Sequence, residues 1–153
     1  MQKIEIAPFQ LIGIEIRTTN ENNKAAEAIP KLWQHFMSED IANKIPNKIS
    51  DDIYSLYTEY ESDYTKPYTA VLGCRVNSLE EIPDGMVGKS FKGGTYLKST
   101  VKGDLMKGVV IEHWKKIWEM DLKRLYTADF EIYGAKAHNP SEAEVEFYLA
   151  VKE

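Results

Sequence analysis

In the run Asp129-Phe130-Glu131-Ile132-Tyr133, side chains of an extended segment alternate between two faces, so Glu131 and Tyr133 point one way and Phe130 and Ile132 the other. The closing segment repeats the arrangement, with Glu146 and Tyr148 on one face and Phe147, Leu149 and Val151 on the other. A carboxylate set among aromatic rings is costly to bury unless it is paired. A cationic ligand supplies such pairing, and each aromatic face adds about 0.5–2 kcal/mol of attraction to the cation. An unliganded buried Glu has its pKa raised instead, which suits general acid or base work. An ordinary strand with a solvent-facing Glu is the third reading, and it needs no ligand.

The aromatics that would line such a site are set out around Glu131. On a helical wheel with Met106 as its origin, Val109, Val110, His113, Ile117 and Met120 form a core stripe. Trp114 and Trp118, four apart, fall on the margin of that stripe, where they either wall a cleft or simply pack. Tyr133, Tyr54, Tyr57, Tyr96 and Tyr148 complete the candidate ligand-binding set. The chain holds three Trp, nine Tyr and five Phe, so its aromatics lean heavily on Tyr.

These residues need elements to position them. Leu11 to Arg17 alternates with a period of two and predicts a half-buried strand within a β-branched stretch from Ile4 to Thr18. Ala25, Ala26, Ile29, Trp33 and Phe36 recur at helical spacing, and Pro30 predicts that this helix begins or bends near Ile29. Ile53–Glu61 and Tyr68–Asn77 follow as a hairpin, and Leu79–Gly88 is a linker. A strand from Lys89 to Val101 then bends at Gly93-Gly94, and Asp104 caps a helix expected to reach about Leu125. Asp129–Lys136 and Glu144–Lys152 make a second hairpin.

Shifting the first half by 82 places lays Asn22 on Asp104, Ile29 on Ile111 and Phe36 on Trp118, and a shift of 75 lays Tyr68–Val76 on Ala143–Val151. The expected fold is therefore α+β: tandem βαββ units related by a pseudo-twofold, antiparallel sheets, two main helices and a central groove. One domain would span 1–153, with repeats at about 1–78 and 86–153.

Composition removes several function classes. With 19 Lys+Arg against 24 Asp+Glu, the net charge of −5 argues against direct nucleic-acid binding, which needs a basic face. No apolar window approaches the ~20 residues of a membrane span, and no signal core opens the chain, so a cytoplasmic location without membrane association is expected. Cys74 is alone and sits in an apolar extended run, where it reads as a small hydrophobe. His35, His113 and His138 show no metal spacing, and Gly85-Met86-Val87-Gly88-Lys89-Ser90 lacks the earlier glycine and the preceding strand of a phosphate loop. No metal or cofactor is expected.

The run Ile53 to Tyr64, the segment Tyr68 to Val76, Ile82-Pro83-Asp84-Gly85-Met86, the Trp114/Trp118 helix, Asp129 to Tyr133 and the closing Glu146 to Lys152 strand together resemble the GyrI-like, or AraC-type effector-binding, domain family. The resemblance implies a duplicated βαββ fold whose groove takes small, often cationic and lipophilic molecules, with an acidic residue meeting the positive charge. Glu131 is the position that matches. Where the family usually closes on Pro-Val-Lys, this chain has Ala150-Val151-Lys152. Members often follow a helix-turn-helix region; this chain begins at the first strand and resembles the stand-alone members. Those include drug-binding modules, a gyrase-inhibitor branch acting on a protein partner, and hydrolases of reactive cyclopropane-containing compounds. A non-enzymatic binding module is the leading expectation, with the hydrolase and the protein-binding modulator as alternatives.

Overall fold

Pro8 has no N–H to give to a strand ladder, and the N-terminal β-branched stretch accordingly forms two strands, β1 (Gln2–Ile6) and β2 (Phe9–Thr18). The computed structural model describes Met1–Glu153. After β2 come α1 (Lys24–Ser38), the single turn α2 (Ile41–Lys44), β3 (Ile53–Thr58), β4 (Tyr68–Val76), β5 (Val87–Phe91), β6 (Gly94–Gly103), α3 (Val109–Trp118), β7 (Ala128–Tyr133) and β8 (Ala143–Ala150). The fold is α+β, with all eight strands in one antiparallel sheet rather than several, ordered β1-β6-β8-β7-β3-β4-β2-β5. That order reads the same from both ends when β1 is exchanged with β5, β2 with β6, β3 with β7 and β4 with β8. Each edge strand pairs with the other half of the chain, β1 with β6 and β5 with β2. The links that follow β1 and β5 pass so closely that a Cβ at Gly93 would lie 2.1 Å from the Ile6 carbonyl oxygen. Gly93 also has φ +73°, so both space and backbone require glycine there.

The helices depart from expectation in instructive ways. α1 starts at Lys24, well before Pro30, and runs through it. Pro30 and Ala26 are both exposed, so the carbonyl deprived of its N–H partner faces water. α3 is much shorter than the expected stretch to Leu125. Gly108, at φ 79°, separates it from a short turn at Leu105–Lys107, which Asp104 caps by accepting from the Met106 N–H. Met106, the origin of the helical wheel, therefore lies outside the helix and is 87% exposed, and Met120 is exposed as well. Only Trp114 and Ile117 of α3 are buried.

Both helices lie on one face of the sheet. Leu32 and Phe36 from α1 and Trp114 and Ile117 from α3 join Tyr57, Tyr68, Leu72, Phe147 and Leu149 in the larger core cluster. The other face has no helical residue in its core. Phe9, Leu11, Tyr54, Leu56, Tyr96, Phe130 and Tyr148 are buried there by the curl of the sheet itself. Phe9 of β2 meets Phe130 of β7 edge-on at 5.3 Å across two intervening strands. Cys74 lies fully buried in the helix-side cluster, and burial pushes its thiol up to about 11. Thiol reagents are expected to leave Cys74 unmodified in the native protein and to label it stoichiometrically in denaturant; modification without denaturant would contradict this burial.

Candidate functional site

Strand β7 runs at the centre of the sheet, between β3 and β8, and its register fixes what surrounds Glu131. Ser55 on β3 and Phe147 on β8 stand directly opposite Glu131 on either side. Antiparallel partners share a face, so Glu131 points to the helix side. The residue is 0% exposed.

Its carboxylate accepts three hydrogen bonds. The Tyr57 hydroxyl donates to Oε2 at 2.8 Å, the Trp114 indole N–H donates to the same oxygen, and the Tyr133 hydroxyl donates to Oε1 at 2.6 Å. Since Tyr57 gives its proton to Glu131, Ser55 Oγ is left to donate to the Tyr57 hydroxyl oxygen at 3.0 Å. Burial holds the Glu131 pKa above the ordinary carboxyl range, and the bonds from Tyr133, Trp114 and Tyr57 offset part of that rise. Tyr57 and Tyr133 are pushed well above the usual phenol value, first by burial and then by the neighbouring Glu131 charge. Both stay protonated, and so remain donors, throughout the physiological range.

The walls are aromatic. Tyr57 lies edge-on to Trp114 at 5.5 Å and to Tyr68 at 5.9 Å, and Trp114 contacts Phe147 at 5.3 Å. From α1, Trp33 meets Tyr133 edge-on at 4.8 Å. No Lys, Arg or His pairs with Glu131: every ion pair in the protein involves other residues. The chamber is thus an aromatic box around one carboxylate, with only neutral donors on it. No group of His, Cys, Asp and Glu side chains is arranged to hold a metal ion.

Beside it sits a buried ion pair. Arg124 Nη2 donates to Asp129 Oδ2 at 2.7 Å; the Tyr60 hydroxyl donates to the same oxygen at 2.7 Å, and the Ala150 N–H to Oδ1 at 2.8 Å. The guanidinium lies 4.4 Å from the Tyr126 ring centroid and 5.9 Å from that of Trp114, so it braces the indole that holds Glu131.

The eight residues singled out in the sequence divide by face. Glu131, Tyr57, Trp114 and Tyr133 come together. Trp118 does not join them; it stacks on Tyr64 of the β3–β4 loop, 5.3 Å apart with the rings nearly parallel at 4°. Tyr54, Tyr96 and Tyr148 do not share the chamber: all three lie in the core of the opposite face, where Tyr148 and Tyr54 flank Phe130. Tyr148 stands opposite Phe130, not Glu131, in the β7–β8 register, and a one-residue offset sends a side chain through the sheet. Trp33, Tyr68, Phe147 and Ser55 were not singled out. The helical spacing of Trp33 with Phe36 was legible, but the strand that α1 covers was not.

The family model for Cass2, the integron-associated effector binding protein, matches residues 4–151. The chain belongs to this effector-binding family. Among solved structures, the Cass2 integron cassette protein from the mobile metagenome of Vibrio cholerae is 30% identical, with a TM-score of 0.75 over 99% of this chain and 95% of that one. The structure of SAV2435 bound to tetraphenylphosphonium shares the fold at 17% identity, with a TM-score of 0.75 over 99% and 93% of the two chains. YobU of Bacillus subtilis (strain 168) is 29% identical over 144 residues, 92% of this chain and 90% of its own. The GyrI-like resemblance drawn from the sequence is consistent with all of these, and small-molecule binding follows from the family. No helix is long and apolar enough to cross a membrane.

Proposed function

We propose that this effector-binding protein takes a small lipophilic organic cation into the chamber around Glu131, with the carboxylate as counter-charge and Trp33, Tyr57, Trp114 and Tyr133 as aromatic walls. The observation that carries this reading is a fully buried carboxylate whose partners are all neutral. Such a group is left wanting positive charge, and the three donors already occupy three of the roughly four lone-pair directions at its oxygens. It therefore offers a cation its field more than its lone pairs. Delocalised or quaternary cations, which bring no N–H to satisfy, suit that offer better than primary amines. The binding of tetraphenylphosphonium by a structural neighbour supports the class. Admission needs the half-buried Trp33–Tyr133 contact to part, because Glu131 is closed off from solvent as it stands.

Tetraphenylphosphonium carries a permanent charge, so the pH dependence of its binding reports on the protein alone. The cation favours ionised Glu131, whose pKa is raised. Affinity is expected to fall about tenfold per pH unit below that pKa and to level off above it. Tryptophan fluorescence titrations from mildly acidic to neutral pH measure this. An affinity that does not change across that range would contradict a carboxylate counter-charge.

A further inference from the structure

Across the sheet from Glu131, a cleft of about 530 Å³ opens on the side that carries no helix, between the β5–β6 turn and the segment that leads into β7. Tyr96 forms part of its lining. The residue is 2% exposed, its hydroxyl has no hydrogen-bond partner in the protein, and yet that oxygen is not among the sealed, unpaired polar atoms. The hydroxyl therefore opens into the cleft. Phe91 and Leu125 give the lining apolar surface, and Leu125 is 45% exposed.

The unpaired charge on the rim argues for the sign of the occupant. Lys89 is held between Glu15 at 3.0 Å and Glu59 at 2.8 Å, and Glu59 also accepts from the Thr69 hydroxyl at 2.9 Å. Lys89 is therefore shared between Glu15 and Glu59, and neither it nor Glu59 is free. Lys92 is exposed and makes no ion pair, which leaves one free cation and one free phenolic donor on the lining of the same cleft. Two donors and no free acceptor charge, next to apolar surface, describe a site for an anion with a hydrophobic body.

We propose that this cleft is a second small-molecule site, independent of the Glu131 chamber, which takes an aromatic acid with its ring against Phe91 and Leu125 and its acid group at Lys92 and the Tyr96 hydroxyl. The sheet separates the two sites, and their preferred ligands carry opposite charge. Anilinonaphthalene sulfonate is the probe. It is expected to bind saturably to the full chain, to shift amide resonances of residues 89–96 and 125–128, and to stay bound when tetraphenylphosphonium is in excess. Lys92→Glu should weaken it by about tenfold through charge reversal, and Tyr96→Phe, which removes one oxygen and is the milder change for folding, by about threefold. Four results overturn the proposal: no saturable signal, shifts centred on Trp33, Trp114 and Tyr133, displacement by the phosphonium, or unchanged affinity in Lys92→Glu. Failure of the phosphonium to bind at all would count against the chamber and leave this outcome readable.

Discussion

Glu131→Gln is expected to cost about 100-fold in affinity for tetraphenylphosphonium, near 2.7 kcal/mol, while raising thermal stability. The substitution is nearly isosteric. The amide oxygen can keep the bonds from Tyr57 and Trp114, and the Tyr133 hydroxyl can turn to accept from the amide N–H₂. What is lost is the buried charge, which the cation needs and the unliganded fold does not. A buried acid with a raised pKa keeps its proton in the folded state after the unfolded chain has lost it. Its burial therefore costs stability as pH rises from the ordinary Glu range of about 4.3, and the cost becomes constant once Glu131 itself ionises. The Glu131→Gln protein should lack that decline, and for a domain of this size each 1 kcal/mol gained appears as about 2–4 °C in Tm. Calorimetry at neutral pH and fluorescence titration read the two effects separately. Equal phosphonium affinity in both proteins would remove Glu131 from the site.

Asp129→Ala is expected to be the most damaging single change to folding. Asp129 is 0% exposed and holds the Arg124 guanidinium, the Tyr60 hydroxyl and the Ala150 N–H at once. Arg124 already leaves Nε and Nη1 without hydrogen-bond partners and depends on its contacts with the Tyr126 and Trp114 rings. Removing its carboxylate strands a buried cation, which costs about 3–5 kcal/mol and should lower Tm by roughly 10 °C. The loss reaches the chamber, because Arg124 braces the Trp114 indole. Asp129→Asn, whose single carbonyl oxygen can still accept from the Ala150 N–H while its N–H₂ replaces the oxygen that took Tyr60 and Arg124, separates charge from shape: it should recover part of the Tm while phosphonium affinity stays below wild type. A Tm within 2–3 °C of wild type for Asp129→Ala would mean that the ion pair is not structural (about 1 kcal/mol or less).

The Glu131/Tyr133 pair was legible because strand alternation is local: a period of two fixes which neighbours share a face, whatever the rest of the fold does. The same rule placed Phe130 and Ile132 on the reverse face and kept Glu146 with Tyr148. It has no power across strands. Tyr148 and Phe147 differ by one position, and only the β7–β8 register decides that Phe147 stands beside Glu131 while Tyr148 stacks on Phe130. Tyr54 and Tyr57, three apart on β3, fall on opposite faces by that local alternation, but only the β3–β7 register, with Ser55 opposite Glu131, decides that Tyr57 is the one that reaches the carboxylate.

The helix α3 failed to match its wheel because a single positive-φ glycine, Gly108, outweighed a longer apolar periodicity and put Met106 in solvent. Pro30 does not set the start of α1, since an exposed carbonyl can be satisfied by water and the helix need not stop there. By itself, then, the sequence determined the α+β class, the strand that carries Glu131 and the aromatic character of its surroundings. Tertiary structure decided which rings meet that carboxylate, that Trp118 stacks on Tyr64 instead, and that Tyr96 opens a cleft on the far side. Those choices depend on register and curl, which no local pattern encodes.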